Sequence, residues 1–69
     1  MMDKWQKVYS DQSPHKAEIV KAVLEDHSLN PVIINKQDSN YKIGYFEIYV
    51  NPDEVLKAIK LINDEIKFG

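Results

Sequence analysis

Tyr45-Phe46-Glu47-Ile48-Tyr49-Val50-Asn51-Pro52-Asp53-Glu54 is the stretch on which the fold turns. Its first six residues alternate as a strand does, with Phe46, Ile48 and Val50 on one side and Tyr45, Glu47 and Tyr49 on the other. The all-apolar side is the expected core side. The next four residues are a helix start. Asn51 is placed to cap, Pro52 suits the first helical position, and Glu54 stands where a capping box would return to the cap N–H. A helix is predicted from there to about Lys67, with Val55, Ile59, Ile62 and Ile66 as a core stripe flanked by Leu56 and Ala58. A half-apolar strand running into an amphipathic helix requires a sheet with helices on one face.

Working toward the N-terminus, Gln37 to Gly44 reads as a polar turn, and Val32-Ile33-Ile34-Asn35-Lys36 as a β-branched strand. Asn30-Pro31 ends whatever precedes it. Ahead of it, Ala17, Val20 and Leu24 recur at three- and four-residue spacing, with Ile19 and Val23 beside them, so a helix is predicted from Pro14 to about His27 with Ser13 as its cap. Lys4 to Ser10 is the first strand, and its alternation sets Trp5, Lys7 and Tyr9 against Gln6, Val8 and Ser10.

The element order is therefore β-α-β-β-α, an α+β fold in one domain spanning residues 1–69. The crossover between the first two strands leaves a slot for the third, which gives a three-stranded sheet ordered 1-3-2 with both helices on one face. This is a ferredoxin-like split β-α-β arrangement lacking its last strand. The uncovered face should carry Tyr45, Glu47 and Tyr49, joined by Trp5 and Tyr9 if strands 1 and 3 pair in phase, and by Ile33 from strand 2. These aromatics form the candidate interaction surface, since exposed aromatic patches with polar tips favour partner binding. The sheet edge at strand 1 could also pair with its twin, so self-association to a dimer or higher assembly is expected.

Composition limits what such a domain does. The chain has 69 residues and a mass of 8.1 kDa, is 43% hydrophobic and 29% charged, and has no Cys. Its net charge is −2, and all nine basic residues are Lys, dispersed among eleven carboxylates. A basic stripe and arginine forks are the usual means of reading a duplex, so nucleic acid is not an expected partner. No apolar run approaches the ~20 residues of a membrane span, and MMDKWQKVYS lacks the apolar stretch of a secretory signal. His15 and His27 stand about 18 Å apart by helical rise, too far to share one ion. Asp53-Glu54, Glu25-Asp26 and Asp64-Glu65 lack the spacing of a metal loop or a glycosidase pair. With two glycines there is no phosphate-cradling loop. The expectation is a protein without catalytic residues, metal or cofactor. Asn35, Lys36, Gln37, Asp38, Ser39 and Tyr41 concentrate amide, ammonium, carboxylate, hydroxyl and phenol groups in one connection and form the candidate partner or ligand loop.

Val8-Tyr9-Ser10, the helix Ala17 to Glu25, the run Val32 to Tyr41, Glu47-Ile48-Tyr49-Val50 and the acidic helix start after it together resemble domain-of-unknown-function family 2007, a small bacterial family ascribed to signal transduction and grouped with PII-like folds. The resemblance covers nearly the whole chain. It implies a cytoplasmic, ferredoxin-like domain with a regulatory role exercised through protein contacts. The alternative is a small-ligand sensor that holds a metabolite or nucleotide at a subunit interface near Lys36, Asp38 and Tyr41.

Overall fold

The computed structural model describes residues 4–38 and 43–66. Strand β1 (Gln6–Asp11), helix α1 (Pro14–Asp26), strands β2 (Val32–Asp38) and β3 (Ile43–Val50), a single 3₁₀ turn (Pro52–Glu54) and helix α2 (Val55–Glu65) follow in that order. The sheet is ordered β1-β3-β2, and both pairings are antiparallel. The β-α-β-β-α architecture expected from the sequence is the one observed. Ser39 and Tyr41 of the candidate loop lie outside the described residues.

Helix α1 begins as its sequence dictates. The Ser13 hydroxyl accepts the Lys16 N–H at 3.3 Å, and Pro14 takes the first position. Asp11 sets up this start, because its Oδ1 accepts the Ser13 N–H at 2.8 Å and so bends the chain out of β1. The helix ends in a Schellman motif. Ser28 adopts φ 68°, the Leu29 N–H reaches the Leu24 carbonyl at 3.0 Å, and the Ser28 N–H reaches Glu25 at 3.0 Å. The apolar contact that accompanies this motif joins Leu29 to Leu24, and both are buried.

Helix α2 departs from expectation at both ends. Asn51 makes no side-chain cap, and its Oδ1 is buried without a partner among the described residues. Glu54 does not return to the cap. Its two carboxylate oxygens instead accept the Asn30 N–H at 3.1 Å and the Asn30 Nδ2 at 3.3 Å, tying the α1–β2 connection to the start of α2. The first turn is consequently 3₁₀, closed by the Glu54 N–H on the Asn51 carbonyl at 2.9 Å. At the other end α2 stops at Glu65, and Ile66 is extended rather than helical.

The core lies between the helices and one face of the sheet. Ala17, Val20, Leu24, Leu29, Ile48, Val50 and Ala58 are buried, with Val8, Tyr9, Ile33, Phe46, Val55, Leu61, Ile62 and Ile66 packed around them. Helix α1 buries the three residues that its spacing predicts. Helix α2 presents Val55, Ile62 and Ile66 of the expected stripe to the core but not Ile59. It is rotated so that Ala58 is fully buried, while Ile59 is 42% and Leu56 84% exposed. Ala58 is the smallest residue on that side of the helix, and closest approach to a sheet favours it over a branched neighbour.

Candidate functional site

The pairing register determines which side chains share the uncovered face of the sheet. Neighbours in a ladder project to the same side. Phe46, Ile48 and Val50 of β3 lie on the helix side, so Tyr45, Glu47 and Tyr49 lie on the open side. Lys7, Tyr49 and Val32 form one cross-strand row, Ser10, Glu47 and Ile34 the next, and Tyr45 and Lys36 a third. From Lys7, alternation places Trp5, half-buried just ahead of β1, on this face too.

Tyr9 is not on it. Lys7 pairs with Tyr49, but Tyr9 pairs with Ile48, so two steps along β1 match one step along β3. This bulge reverses the phase of the strand. Val8 and Tyr9 both pack on the core as a result, and Tyr9 leaves the candidate surface. Ile33 is also corrected, since it pairs with Ile48 and packs beneath the helices, and Val32 and Ile34 take its place on the open face. Of the candidate loop, Asn35 and Lys36 lie in β2 as expected, and Gln37 and Asp38 prove to be strand rather than turn, because β2 pairs with β3 as far as Asp38↔Ile43. The pairing partner supplies the hydrogen bonds that these polar residues would otherwise direct into a turn.

The open face is organised around Glu47. Its Oε2 receives the Lys7 ammonium at 3.4 Å, and its Oε1 accepts the Tyr49 hydroxyl at 3.0 Å. The Glu47 side chain is 15% exposed against 49% for Lys7, so the carboxylate is held within the surface and the ammonium covers it from solvent. The hydroxyl's hydrogen bond to Glu47 raises the Tyr49 phenol above its ordinary range, with burial and the nearby negative charge adding to the effect. Lys7 was not among the expected site residues. The clue available in the sequence was its alternation with Trp5. Tyr45, 42% exposed, stands beside Lys36 at the other end of the face.

Tyr9 makes a separate cluster at the β1–α1 corner. Its hydroxyl donates to Asp11 Oδ2 at 3.0 Å. Burial, this hydrogen bond and the Asp11 charge push the Tyr9 phenol up to about 12. The Ser13 N–H is the main cause that holds the Asp11 carboxyl below its ordinary value, followed by the Tyr9 hydroxyl and the Lys16 charge. These bonds bend and brace the chain at the corner.

Among the described residues no three His, Asp or Glu side chains converge as metal ligands, and no helix is long and apolar enough to cross a membrane. His27 is engaged with Glu65 at 2.7 Å, joining the ends of the two helices. The open face offers aromatic, aliphatic and fixed ionic groups side by side. The chain matches no protein-family model, and no curated protein or solved structure matches it.

Proposed function

We propose that this chain is a non-enzymatic cytoplasmic binding module that docks a protein partner on the open face of its sheet. One observation carries the reading: Tyr45, Tyr49, Val32 and Ile34 lie side by side on a face that neither helix covers, around a carboxylate already paired with Lys7 and hydrogen-bonded by Tyr49. Tyrosine supplies a large contact area at low entropic cost, and its hydroxyl can remain hydrated at an interface rim. A prearranged ion pair also reduces the ordering cost of binding. The resemblance to domain-of-unknown-function family 2007 supplies the regulatory context, in which such docking transmits a signal.

The test is site-specific photo-crosslinking in cells that produce the protein. A photoreactive residue at position 45 should yield one discrete adduct. Tyr49→Ser should reduce its yield about tenfold, the loss expected for truncating an aromatic anchor. The same photoreactive residue at position 18, on the opposite layer, should not capture that partner. Absence of an adduct from position 45, or equal capture from position 18, overturns the reading.

A further inference from the structure

The helix layer carries a second exposed surface, and its two halves are complementary to each other. On α1, Glu18, Ile19, Ala22, Glu25 and Asp26 are exposed. On α2, Leu56, Lys57, Ile59 and Lys60 are exposed. Glu25 is paired with Lys21 at 3.6 Å. Glu18 and Asp26 on the first helix, and Lys57 and Lys60 on the second, make no ion pair among the described residues. α2 also exposes Asp64, unpaired among the described residues, so unpaired acid predominates on α1, while on α2 two unpaired lysines stand against one unpaired acid. Beside these charges sit Ile19 at 36%, Ile59 at 42% and Leu56 at 84% exposure, three of the four large apolar side chains left open among the described residues. A single exposed leucine is ordinary, but apolar residues flanked by uncompensated charge of opposite sign on adjacent helices form a pattern.

We infer that the helix layer is an interface between two copies of this chain, with α2 of one copy seated on α1 of the other about a two-fold axis. A two-fold contact forms every pairing twice. Lys57 and Lys60 of one copy meet Glu18 and Asp26 of the second, and the reverse contact is made alongside. Leu56 and Ile59 then cover Ile19 across Ala22, whose small side chain permits close helix approach. The occupant is a second copy because the surface complements itself. The open sheet face offers no such free acid among its described side chains, since Glu47 is already shared by Lys7 and Tyr49.

Dimensions agree. The chain is a slab of 36 × 33 × 15 Å. Its broad side offers on the order of 1,000 Å², enough for the ~800 Å² per partner of a stable interface. Its rim is only 15 Å thick. The β1 rim is further interrupted by the bulge, a feature that opposes strand-to-strand pairing. Pairing through the helices leaves both aromatic faces outward, so this inference stands apart from the proposed docking on the sheet.

Two charge-reversed chains test it by sedimentation at low salt, with circular dichroism recording that each is folded. Glu18→Lys with Asp26→Lys sets new lysines on α1 against Lys57 and Lys60 of the second copy, and Lys57→Glu with Lys60→Glu makes both helices acidic. The unaltered chain should sediment as a dimer that loosens with added salt. Each reversed chain alone should associate at least a hundredfold more weakly, as expected when like charges are forced together. Mixed in equal amounts, the two should form a heterodimer, because acid again meets base at both contacts. Leu56→Ser should weaken the unaltered dimer about tenfold, and Tyr45→Ser should leave it intact. An unaltered chain that remains monomeric overturns the inference. So do reversed chains that self-associate as the unaltered chain does, or that fail to combine.

Discussion

At the scale of single residues, two positions make measurable contributions to stability, one unfavourable and one favourable. Ser28 sits at φ 68°, where a residue with a Cβ is disfavoured by about 1–2 kcal/mol. Glycine removes that strain but adds backbone entropy to the unfolded chain, so Ser28→Gly should stabilise by about 0.5–1 kcal/mol, a rise of roughly 2–8 °C in melting temperature for a domain of this size. A melting curve that does not move, or falls, refutes this. The second position is Tyr9, whose phenol is pushed up to about 12 from an ordinary 10.0. The folded chain keeps a proton that the unfolded chain releases first. This contribution to stability is fully present below pH 10 and is lost as pH rises from there toward 12. Tyr49 is shifted in the same direction. Phenolate absorbance should therefore show ionisation above the ordinary tyrosine range, and Tyr9→Phe should flatten part of the alkaline fall in stability. Asp11 behaves oppositely. Its carboxyl is held down, so its contribution exists above the unfolded value and is lost as pH falls through the acid range.

At the scale of elements, the packing of α2 rests on one small residue. Ala58 is completely buried, while its neighbour Ile59 is largely outside. Ala58→Leu should therefore overpack the layer and cost about 1–3 kcal/mol, whereas Ile59→Ala should cost far less than the ~2–5 kcal/mol of a buried isoleucine. Equal losses for the two in chemical denaturation would mean that Ile59 belongs to the core with Val55, Ile62 and Ile66, as in the stripe expected from the sequence. That stripe was a reasonable reading of the spacing, because Val55, Ile59, Ile62 and Ile66 recur at three and four residues. Periodicity fixes which residues share a side but leaves the rotation about the axis free by a residue, and the fit against β1 decides it. Strand β1 was ambiguous for a related reason. Val8 and Tyr9 are both compatible with a core, so nothing in their order marks the bulge that turns both inward. Where one face was clean the reading held: Phe46, Ile48 and Val50 lie under the helices, which places Tyr45, Glu47 and Tyr49 on the open side. The extension of β2 beyond Lys36 through Gln37 and Asp38 is not legible in the sequence, because pairing with β3, rather than propensity, makes those polar residues extended. Lys7 joined the site only once the register brought it to Glu47.

At the scale of the whole molecule, the chain is thin for its mass. Its accessible surface is 4976 Å², against roughly 4,500 Å² for a monomeric protein of the same size. Two layers leave each helix and each strand covered on one side only, and a domain of this length has about 3–10 kcal/mol of stability to lose. If the helix layers of two copies meet, association and folding are linked, and stability depends on concentration. Each tenfold rise in concentration is worth about 1.4 kcal/mol per dimer, hence about 0.7 kcal/mol per chain. For a domain of this size that corresponds to a rise of about 3–6 °C in melting temperature per decade. The chain carrying Lys57→Glu and Lys60→Glu should melt at one temperature at all concentrations, because its helix faces repel. A concentration series by calorimetry separates the cases. A slope in the unaltered chain that vanishes in the reversed one ties the excess surface to the helix layer, whereas the same slope in both would place the contact elsewhere on the molecule.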